Sequence, residues 1–161
     1  MDRLPEPAGW NGGATVDSDS YVRRASEEQA ILRTMNRYSR AIDYCLVDEW
    51  LDVFTDDARY ETVLPDGARY CLLTSRDEFA QFLADYPHPP EHRQKHMLIN
   101  PVLEVDGDEA EGDSGWLFFT SDSGGSRPRL SAFGRYRDRF RRRDGAWRIA
   151  DRLCETEAID L

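Results

Sequence analysis

The first half of the chain carries hydrophobic residues at helical spacing. Beyond Ser26, apolar side chains recur every three or four positions, at Ile31, Met35, Tyr38, Ile42 and Cys45. Ser26 can cap a helix, and the two glutamates that follow it suit a first turn. The pattern predicts a first helix that begins near residue 26 and ends near Tyr44.

Two shorter helices are predicted next. Residues 48–54 place an apolar side on a second helix, formed by Trp50, Leu51 and Phe54. The Ser75-Arg76-Asp77-Glu78 stretch resembles a capping box for a third helix. The apolar face of that third helix comprises Phe79, Phe82, Leu83 and Tyr86.

Six segments are strand-like: residues 58–63, 69–73, 95–105, 109–120, 130–143 and 146–155. Pro65-Asp66-Gly67, Asp106-Gly107 and Asp144-Gly145 separate consecutive segments, and such turns join antiparallel strands. The order is helices with a small hairpin, followed by a four-stranded meander. The predicted fold class is α+β, with about three helices packed on one face of a strongly twisted, mainly antiparallel sheet.

Domain organisation follows from the length and from one shift in composition. Residues 1–25 are rich in Gly, Pro, Ser and Asp, which predicts a flexible N-terminal arm. Residues 26–161 then form a single domain, since a chain of 161 residues is about one domain. A domain of this size buries roughly 70% of its unfolded surface and has room for a small ligand cavity.

Charge and cysteine content narrow the function classes. A net charge of −10 argues against binding to nucleic acid or anionic membranes and fits a neutral or cationic small molecule. Cys45, Cys71 and Cys154 are dispersed, which predicts reduced thiols and no zinc site. The sequence contains no signal-like or bilayer-spanning apolar run, P-loop or dinucleotide fingerprint. We therefore expect a cytoplasmic protein without a metal or cofactor.

Three residues are candidates for chemistry. Asp43 lies near the end of the first predicted helix, about one position off its apolar stripe, either at the rim of a pocket or on the solvated flank. His96 is the only histidine within a predicted strand, on the same face as Leu98 and Asn100. It is either a hydrogen-bonded core residue or a general base. Tyr38 either packs in the core or offers its phenol to a substrate oxygen.

The third strand of the meander separates charged from apolar residues by alternation. Tyr136, Asp138 and Phe140 share one face, and the arginines at positions 135, 137, 139 and 141 share the other. We interpret the arginine row as a surface paired with the many acidic residues, in preference to a phosphate site. The sequence contains no pattern typical of a Ser–His–Asp triad, a nucleophilic cysteine or a metal-ligand cluster.

Several stretches, taken in order, resemble the SnoaL-like group of the nuclear transport factor 2-like superfamily. The likeness covers about residues 27–157 and is carried by Arg37–Asp43, Asp48–Leu51, Phe54–Ala58, Lys95–Pro101, Gly134–Asp138 and Asp144–Ile149. The resemblance implies a cone-like fold, with helices against a highly curved sheet and a pocket between them. Such relatives are commonly dimers or trimers, so we expect a homo-oligomer, a trimer in preference to a dimer.

Within that group the chain is most similar to dehydratase-like members, which include scytalone dehydratase, bile-acid 7α-dehydratase and hexachlorocyclohexane dehydrochlorinase. Their shared Asp–His dyad abstracts a proton during elimination and falls on Asp43 and His96, while the dehydratase tyrosine falls on Tyr38. The resemblance implies a cofactor-free lyase for a small, largely apolar, oxygenated substrate. The further substrate-binding residues expected are Tyr60, Trp116, Phe118, Tyr136 and Asn100.

Departures from these relatives leave other functions open. A further pocket aspartate of the bile-acid enzyme falls on Phe118, and its late arginine falls on Thr156; the second pocket histidine of scytalone dehydratase has no counterpart. The same dyad suits isomerases and cyclases of polyketide or terpenoid metabolism. Residues 48–65 and the Lys95-His96 stretch also resemble the largely structural small subunits of ring-hydroxylating dioxygenases. A non-catalytic subunit or ligand-binding module is therefore an alternative.

Overall fold

The computed structural model describes residues 17–90, 92–121 and 127–160. In chain order its elements are α1 (Ser18–Tyr44), α2 (Val47–Asp52), β1 (Phe54–Val63), β2 (Arg69–Leu73), α3 (Arg76–Asp85), β3 (Arg93–Asp106), β4 (Glu109–Ser121), β5 (Arg129–Arg143) and β6 (Ala146–Ile159). Within these residues, no helix is both long and apolar enough to cross a membrane.

Helix α1 begins earlier than its hydrophobic pattern predicts. Asp17 accepts a hydrogen bond from the backbone N–H of Asp19 and caps the helix nine residues before Ser26. The residues between positions 18 and 25 are exposed, so they carry no apolar stripe that could reveal a helix. Residues 18–25 of the predicted arm are thus the first turns of α1, and residues 1–16 of that arm lie outside the described residues.

The six strands form one curled, mixed sheet in the order β2-β1-β6-β5-β4-β3. The four-stranded meander and the β1–β2 hairpin are confirmed as antiparallel. The hairpin joins the meander through a parallel pairing of β1 with β6. A turn sequence predicts pairing only between two strands that follow each other in the chain. The pairing of β1 with β6 therefore has no local sequence signal.

The end of the second helix differs from the prediction for a reason of packing. Helix α2 stops at Asp52, and Phe54 already pairs with Ile149 as the first residue of β1. The Phe54 ring packs 4.6 Å from the ring of Phe79, centroid to centroid, in α3. Strand pairing and aromatic packing therefore override the helical spacing. Helix α3 begins with the capping box predicted at Ser75 and Glu78.

Two of the register shifts in the sheet, one in β3 and one in β6, change which side chains face the helices. The β3–β4 register shifts between Ile99 and Val102, where Asn100 has a φ of 49°. The β5–β6 register shifts at Ala150, so that Arg152 faces inward instead of outward. Strict alternation predicts the opposite face for residues that follow each bulge. The inner face of the sheet, covered by the helices, therefore carries a different set of residues from the one alternation gives.

Candidate active site

A cavity of about 280 Å³ lies between the helices and the inner face of the sheet. Its wall is mainly aromatic and aliphatic, and it includes His96, Tyr38, Tyr60, Trp116, Phe118 and Tyr136. A larger hollow of about 850 Å³ lies on the outer face of the sheet, but its wall is mostly charged. A mainly apolar hollow with a few polar groups is the usual form of a small-molecule site, so the inner cavity is the candidate.

Asp43 and His96 contact each other at two points. The Asp43 Oδ1 atom lies 2.8 Å from the Nδ1 atom of the His96 ring and 3.0 Å from the backbone nitrogen of His96. Asp43 is 3% exposed, at the end of α1 that crosses β3. A carboxylate only accepts hydrogen bonds, so the His96 Nδ1 carries the proton of the ring contact. The other ring nitrogen, Nε2, is then left with its lone pair.

The surroundings of His96 are largely apolar. Its side chain is 9% exposed, and its ring packs 4.6 Å from that of Phe118, centroid to centroid. The ring of Tyr86 lies further away, at 6.3 Å. Among the residues that the structure describes, none makes a hydrogen bond to Nε2, and His96 lines the cavity. A neutral imidazole held in this way can accept a proton from a bound molecule.

Lys95 is a third partner of Asp43 that sequence reasoning did not identify. Its Nζ atom lies 3.4 Å from Asp43 Oδ2 and 4.0 Å from the centroid of the Tyr44 ring. Alternation places Lys95 and His96 on opposite faces of β3, yet a long lysine side chain can curve around the strand edge. Because half of the Lys95 side chain is exposed, solvent weakens this ion pair.

Tyrosines form the second polar part of the cavity. The hydroxyl groups of Tyr38 and Tyr60 lie 3.3 Å apart, and the Thr62 hydroxyl donates to the Tyr60 oxygen at 3.1 Å. Burial raises the pKa of Tyr38 to about 12 and the pKa of Tyr60 and Tyr136 well above the ordinary value. These tyrosines are therefore neutral phenols that can donate hydrogen bonds to a ligand oxygen.

An ion pair behind the tyrosines was missed from the sequence. Arg152 Nε and Nη2 donate to the two carboxylate oxygens of Asp138 at 2.7 and 2.6 Å, and both side chains are buried. The neighbourhood of Asp138 raises the pKa of Arg152 despite its burial. Asp138 shares the inner face with Tyr136 as alternation predicts, whereas the bulge at Ala150 conceals the inward position of Arg152.

One predicted substrate-binding residue lies elsewhere. Asn100 is exposed at the β3 bulge and lies outside the wall of this cavity, whereas alternation along β3 placed it beside His96. Its positive φ turns the strand there and ends the alternation that placed it beside His96. The other predicted residues, Tyr38, Tyr60, Trp116, Phe118 and Tyr136, all line the cavity with His96. Phe118 and Thr156 are also in the cavity wall. Because both side chains are uncharged, neither position supplies the charged group that the bile-acid enzyme has there.

The described parts of the chain contain no group of three or more His, Cys, Asp or Glu side chains arranged to hold a metal ion. The polar groups in the cavity wall include the His96 imidazole and the phenols of Tyr38, Tyr60 and Tyr136.

Comparisons with known proteins agree with this architecture. A family profile described as the SnoaL-like domain matches residues 23–153. No curated protein matches the chain. Solved structures that resemble it include neighbours with a cystatin-like fold, one of them described as nuclear transport factor 2-like.

Three of these structures are similar over most of their length. The beta subunit assigned to an aromatic-ring-hydroxylating dioxygenase of Novosphingobium aromaticivorans has a TM-score of 0.74 and 21% identity, covering 86% of this chain and 94% of that one. A protein of unknown function from Mycobacterium tuberculosis has a TM-score of 0.73 and 26% identity, covering 91% and 79%. A protein assigned as a scytalone dehydratase of N. aromaticivorans has a TM-score of 0.68 and 22% identity, covering 85% and 88%.

Proposed function

The chain belongs to the SnoaL-like domain family, and on this premise we propose that it is a cofactor-free lyase of the dehydratase type. The substrate is a small, largely apolar, oxygenated molecule, because the cavity of about 280 Å³ is walled by aromatic side chains and has few polar groups. His96 is the base, Asp43 orients it, and Tyr38 binds a substrate oxygen.

The observation that carries this proposal is the two-point contact between Asp43 and His96. Bonds of 2.8 Å to the ring and 3.0 Å to the backbone fix both the orientation and the tautomer of the imidazole. They leave Nε2 as a proton acceptor beside an apolar space. In a purely structural buried histidine both ring nitrogens are normally hydrogen-bonded, since buried polar atoms are usually paired. An unpaired ring nitrogen at a cavity wall therefore favours a functional role.

The reaction that these groups support is an elimination of water. His96 Nε2 takes a proton from a carbon next to an activating group, and the electron pair of that C–H bond forms the new double bond. The C–O bond to the leaving hydroxyl breaks, and the imidazolium returns its proton to that hydroxyl, which departs as water. General acid–base catalysis of this kind contributes about 10²- to 10⁴-fold. The enzyme regains neutral His96 at the end of the cycle.

A second candidate is an isomerase or cyclase that uses the same dyad. It is favoured by the uncharged side chains of Phe118 and Thr156, because the cavity wall then offers no charged group to a leaving hydroxyl at those positions. In an isomerisation the proton taken by His96 returns to another carbon of the substrate. In a cyclisation the carbanion attacks a carbonyl carbon of the same molecule, and the proton goes to the alkoxide oxygen that this attack generates. Product analysis separates the two, since only elimination releases water.

The likeness to a dioxygenase beta subunit supports a third possibility, a non-catalytic partner of an iron–sulfur large subunit. That subunit copurifies with its partner and has no turnover of its own. An enzyme is instead isolated as a homo-oligomer, and we propose a trimer.

The test is turnover of a panel of small β-hydroxy ketones, followed by loss of substrate and by formation of the conjugated product. His96→Ala is expected to lower kcat by about 10²-fold or more. His92→Ala is the matched control, since His92 is exposed and outside the cavity wall. Undiminished turnover in the His96 variant refutes the assignment, as does copurification with an iron–sulfur subunit without any turnover.

A further inference from the structure

The mechanism proposed above gives no role to Lys95, although it contacts the carboxylate that orients the base. Asp43 is 3% exposed and accepts hydrogen bonds from the His96 ring, the His96 backbone and the Lys95 ammonium group. Strand β3 is at the edge of the sheet, so the long side chain of Lys95 can reach around it to Asp43. Lys95 therefore acts on the same anion as His96, from outside the cavity wall.

Two contacts of different kinds hold the Lys95 ammonium group beside Asp43. Its Nζ atom lies 3.4 Å from Asp43 Oδ2 and 4.0 Å from the centroid of the Tyr44 ring. Tyr44 directly follows Asp43 at the end of α1, and a cation over an aromatic face is attracted to it. The position of the charge is thus defined, although about half of the Lys95 side chain is in solvent.

The charges of these side chains decide which form of His96 the site favours. With a neutral imidazole, the charges of Asp43 and Lys95 cancel; with an imidazolium, one positive charge is left over. Without Lys95, the neutral imidazole leaves one negative charge and the imidazolium leaves none. A buried site favours the form in which its charges cancel, because uncompensated charge is poorly solvated there. Lys95 therefore favours the neutral imidazole.

The other titratable groups around the His96 ring are uncharged at neutral pH. Tyr86 faces the ring from the end of α3, with centroids 6.3 Å apart, and burial raises the pKa of its phenol. Phe118, which faces the ring from β4, does not titrate. The remaining titratable groups of the cavity wall are phenols and one thiol, at Tyr38, Tyr60, Tyr70, Tyr136 and Cys154. Phenols and thiols normally keep their protons at neutral pH. Within the described residues, the charges linked to the ring are Asp43 and, through it, Lys95.

We propose that Lys95 is a positioning residue of the dyad, which balances the charge of Asp43 and so shifts His96 toward its unprotonated form. Only that form can start the reaction, since an imidazolium has no lone pair on Nε2 with which to accept a proton. The inference rests on the proposed function, in which His96 is the base. Lys95 acts through Asp43 and does not line the cavity that holds the substrate.

The experiment follows the charge state of His96 and needs no substrate. Protein labelled at the histidine imidazole is titrated by NMR from about pH 5 to about pH 9, and the His96 signal is identified by its loss in His96→Ala. The test variant, Lys95→Met, removes the charge and keeps a long, unbranched side chain. One control, Lys95→Arg, retains the charge. The other, Arg93→Met, removes an exposed positive charge two residues earlier on β3.

We expect the midpoint of the His96 titration to lie about half a pH unit higher in Lys95→Met than in the wild type, which is about a threefold change in the ratio of the two forms. The shift is modest because solvent screens the exposed part of Lys95. Both controls should stay within about 0.2 pH unit of the wild type.

Three results overturn the inference: a folded Lys95→Met variant with the midpoint of the wild type, a lower midpoint in that variant, or an equal rise in either control. If Lys95→Met does not fold, Lys95→Gln is judged by the same midpoint. The contact itself has a separate test. Lys95 is the only lysine in the sequence, so its ammonium nitrogen gives a single lysine side-chain signal. That signal should shift in Asp43→Asn, and an unchanged signal overturns the inference.

These measurements are independent of turnover. If the His96 titration does not respond to Lys95 while His96→Ala abolishes turnover, the role of Lys95 alone is wrong. Conversely, if His96→Ala retains full turnover while the titration depends on Lys95, the lyase proposal alone is wrong, and Lys95 still sets the charge of an imidazole in the cavity wall.

Discussion

The Asp43 carboxylate holds both the ring and the backbone of His96, through bonds of 2.8 and 3.0 Å from its Oδ1 atom. The ring bond fixes the tautomer, and the backbone bond ties the end of α1 to strand β3. The same carboxylate therefore positions the imidazole and joins two elements of the fold. Catalysis and local stability are expected to respond together when Asp43 is changed.

Asp43→Asn tests the orientation of His96. An amide can donate toward Nδ1, which favours the tautomer with the proton on Nε2 and removes the base from the cavity. We expect kcat to fall about 10²- to 10⁴-fold with a preserved fold. Steady-state kinetics measures the fall in kcat, and far-ultraviolet circular dichroism checks that the fold is preserved. Asp77→Asn, on the exposed side of α3, is the matched control. An equal loss of kcat in this control would show that the effect of Asp43→Asn does not come from the contact with His96.

The buried ion pair predicts an unusual relation between single and double variants. Arg152→Met alone leaves the Asp138 carboxylate buried without its partner, which should lower the free energy of unfolding by about 3–5 kcal/mol. Adding Asp138→Leu should recover most of that loss, because the second charge is then also gone. Urea denaturation measures both. Additive losses in the double variant would contradict this account of the pair.

Alkaline pH should destabilise the protein through Tyr38. Burial raises the pKa of Tyr38 from 10.0 to about 12, so the unfolded chain releases this proton at a lower pH than the folded one. The free energy of unfolding is then unaffected below about pH 10 and falls as the pH rises toward about 12, by about 2–3 kcal/mol. Cys154, whose pKa burial raises to about 12, acts in the same direction.

Urea denaturation of the wild type and of Tyr38→Phe between about pH 8 and pH 12 measures this contribution. The variant should have a shallower decline above about pH 10, since phenylalanine has no proton to release. Parallel declines in the two proteins would show that Tyr38 does not titrate as the structure indicates.

Ser75 provides a prediction about the fold alone. Its hydroxyl accepts from the backbone N–H of Glu78 and begins α3, whose Phe82 lines the cavity. Ser75→Ala should lower the free energy of unfolding by about 1 kcal/mol. Thermal or urea denaturation checks it, with Ser75→Asp, which can also cap, expected to stay near the wild type. Equal losses in both variants would show that the cap contributes nothing specific.

The local parts of the fold could be predicted from the sequence. Hairpin turns at Asp106-Gly107 and Asp144-Gly145, and the capping box at Ser75, are set by residues within a few positions of each other. The parallel pairing of β1 with β6 could not be predicted, because it joins segments about ninety residues apart and no turn sequence connects them directly. The first turns of α1 were missed because they have no buried face.

The candidate site, too, could be predicted only in part from the sequence. Asp43, His96 and Tyr38 were identified from their spacing together with a family resemblance. In the structure His96 and Tyr38 line one cavity, and Asp43 is bonded to His96. Arg152 was missed and Asn100 was misplaced for one physical reason: a bulge shifts a strand by one residue and reverses its faces. A bulge depends on packing against neighbouring strands, so alternation within one strand cannot reveal it.

The central claim is that His96 presents an unprotonated Nε2 to the cavity while Nδ1 donates to Asp43. Nitrogen-15 NMR of the labelled imidazole at neutral pH measures this directly, with His96→Ala used to assign the signals against those of His88 and His92. For the neutral ring of His96 we predict a protonated Nδ1 and an acceptor-type Nε2. A neutral ring with its proton on Nε2 would contradict the claim and leave the cavity without its base.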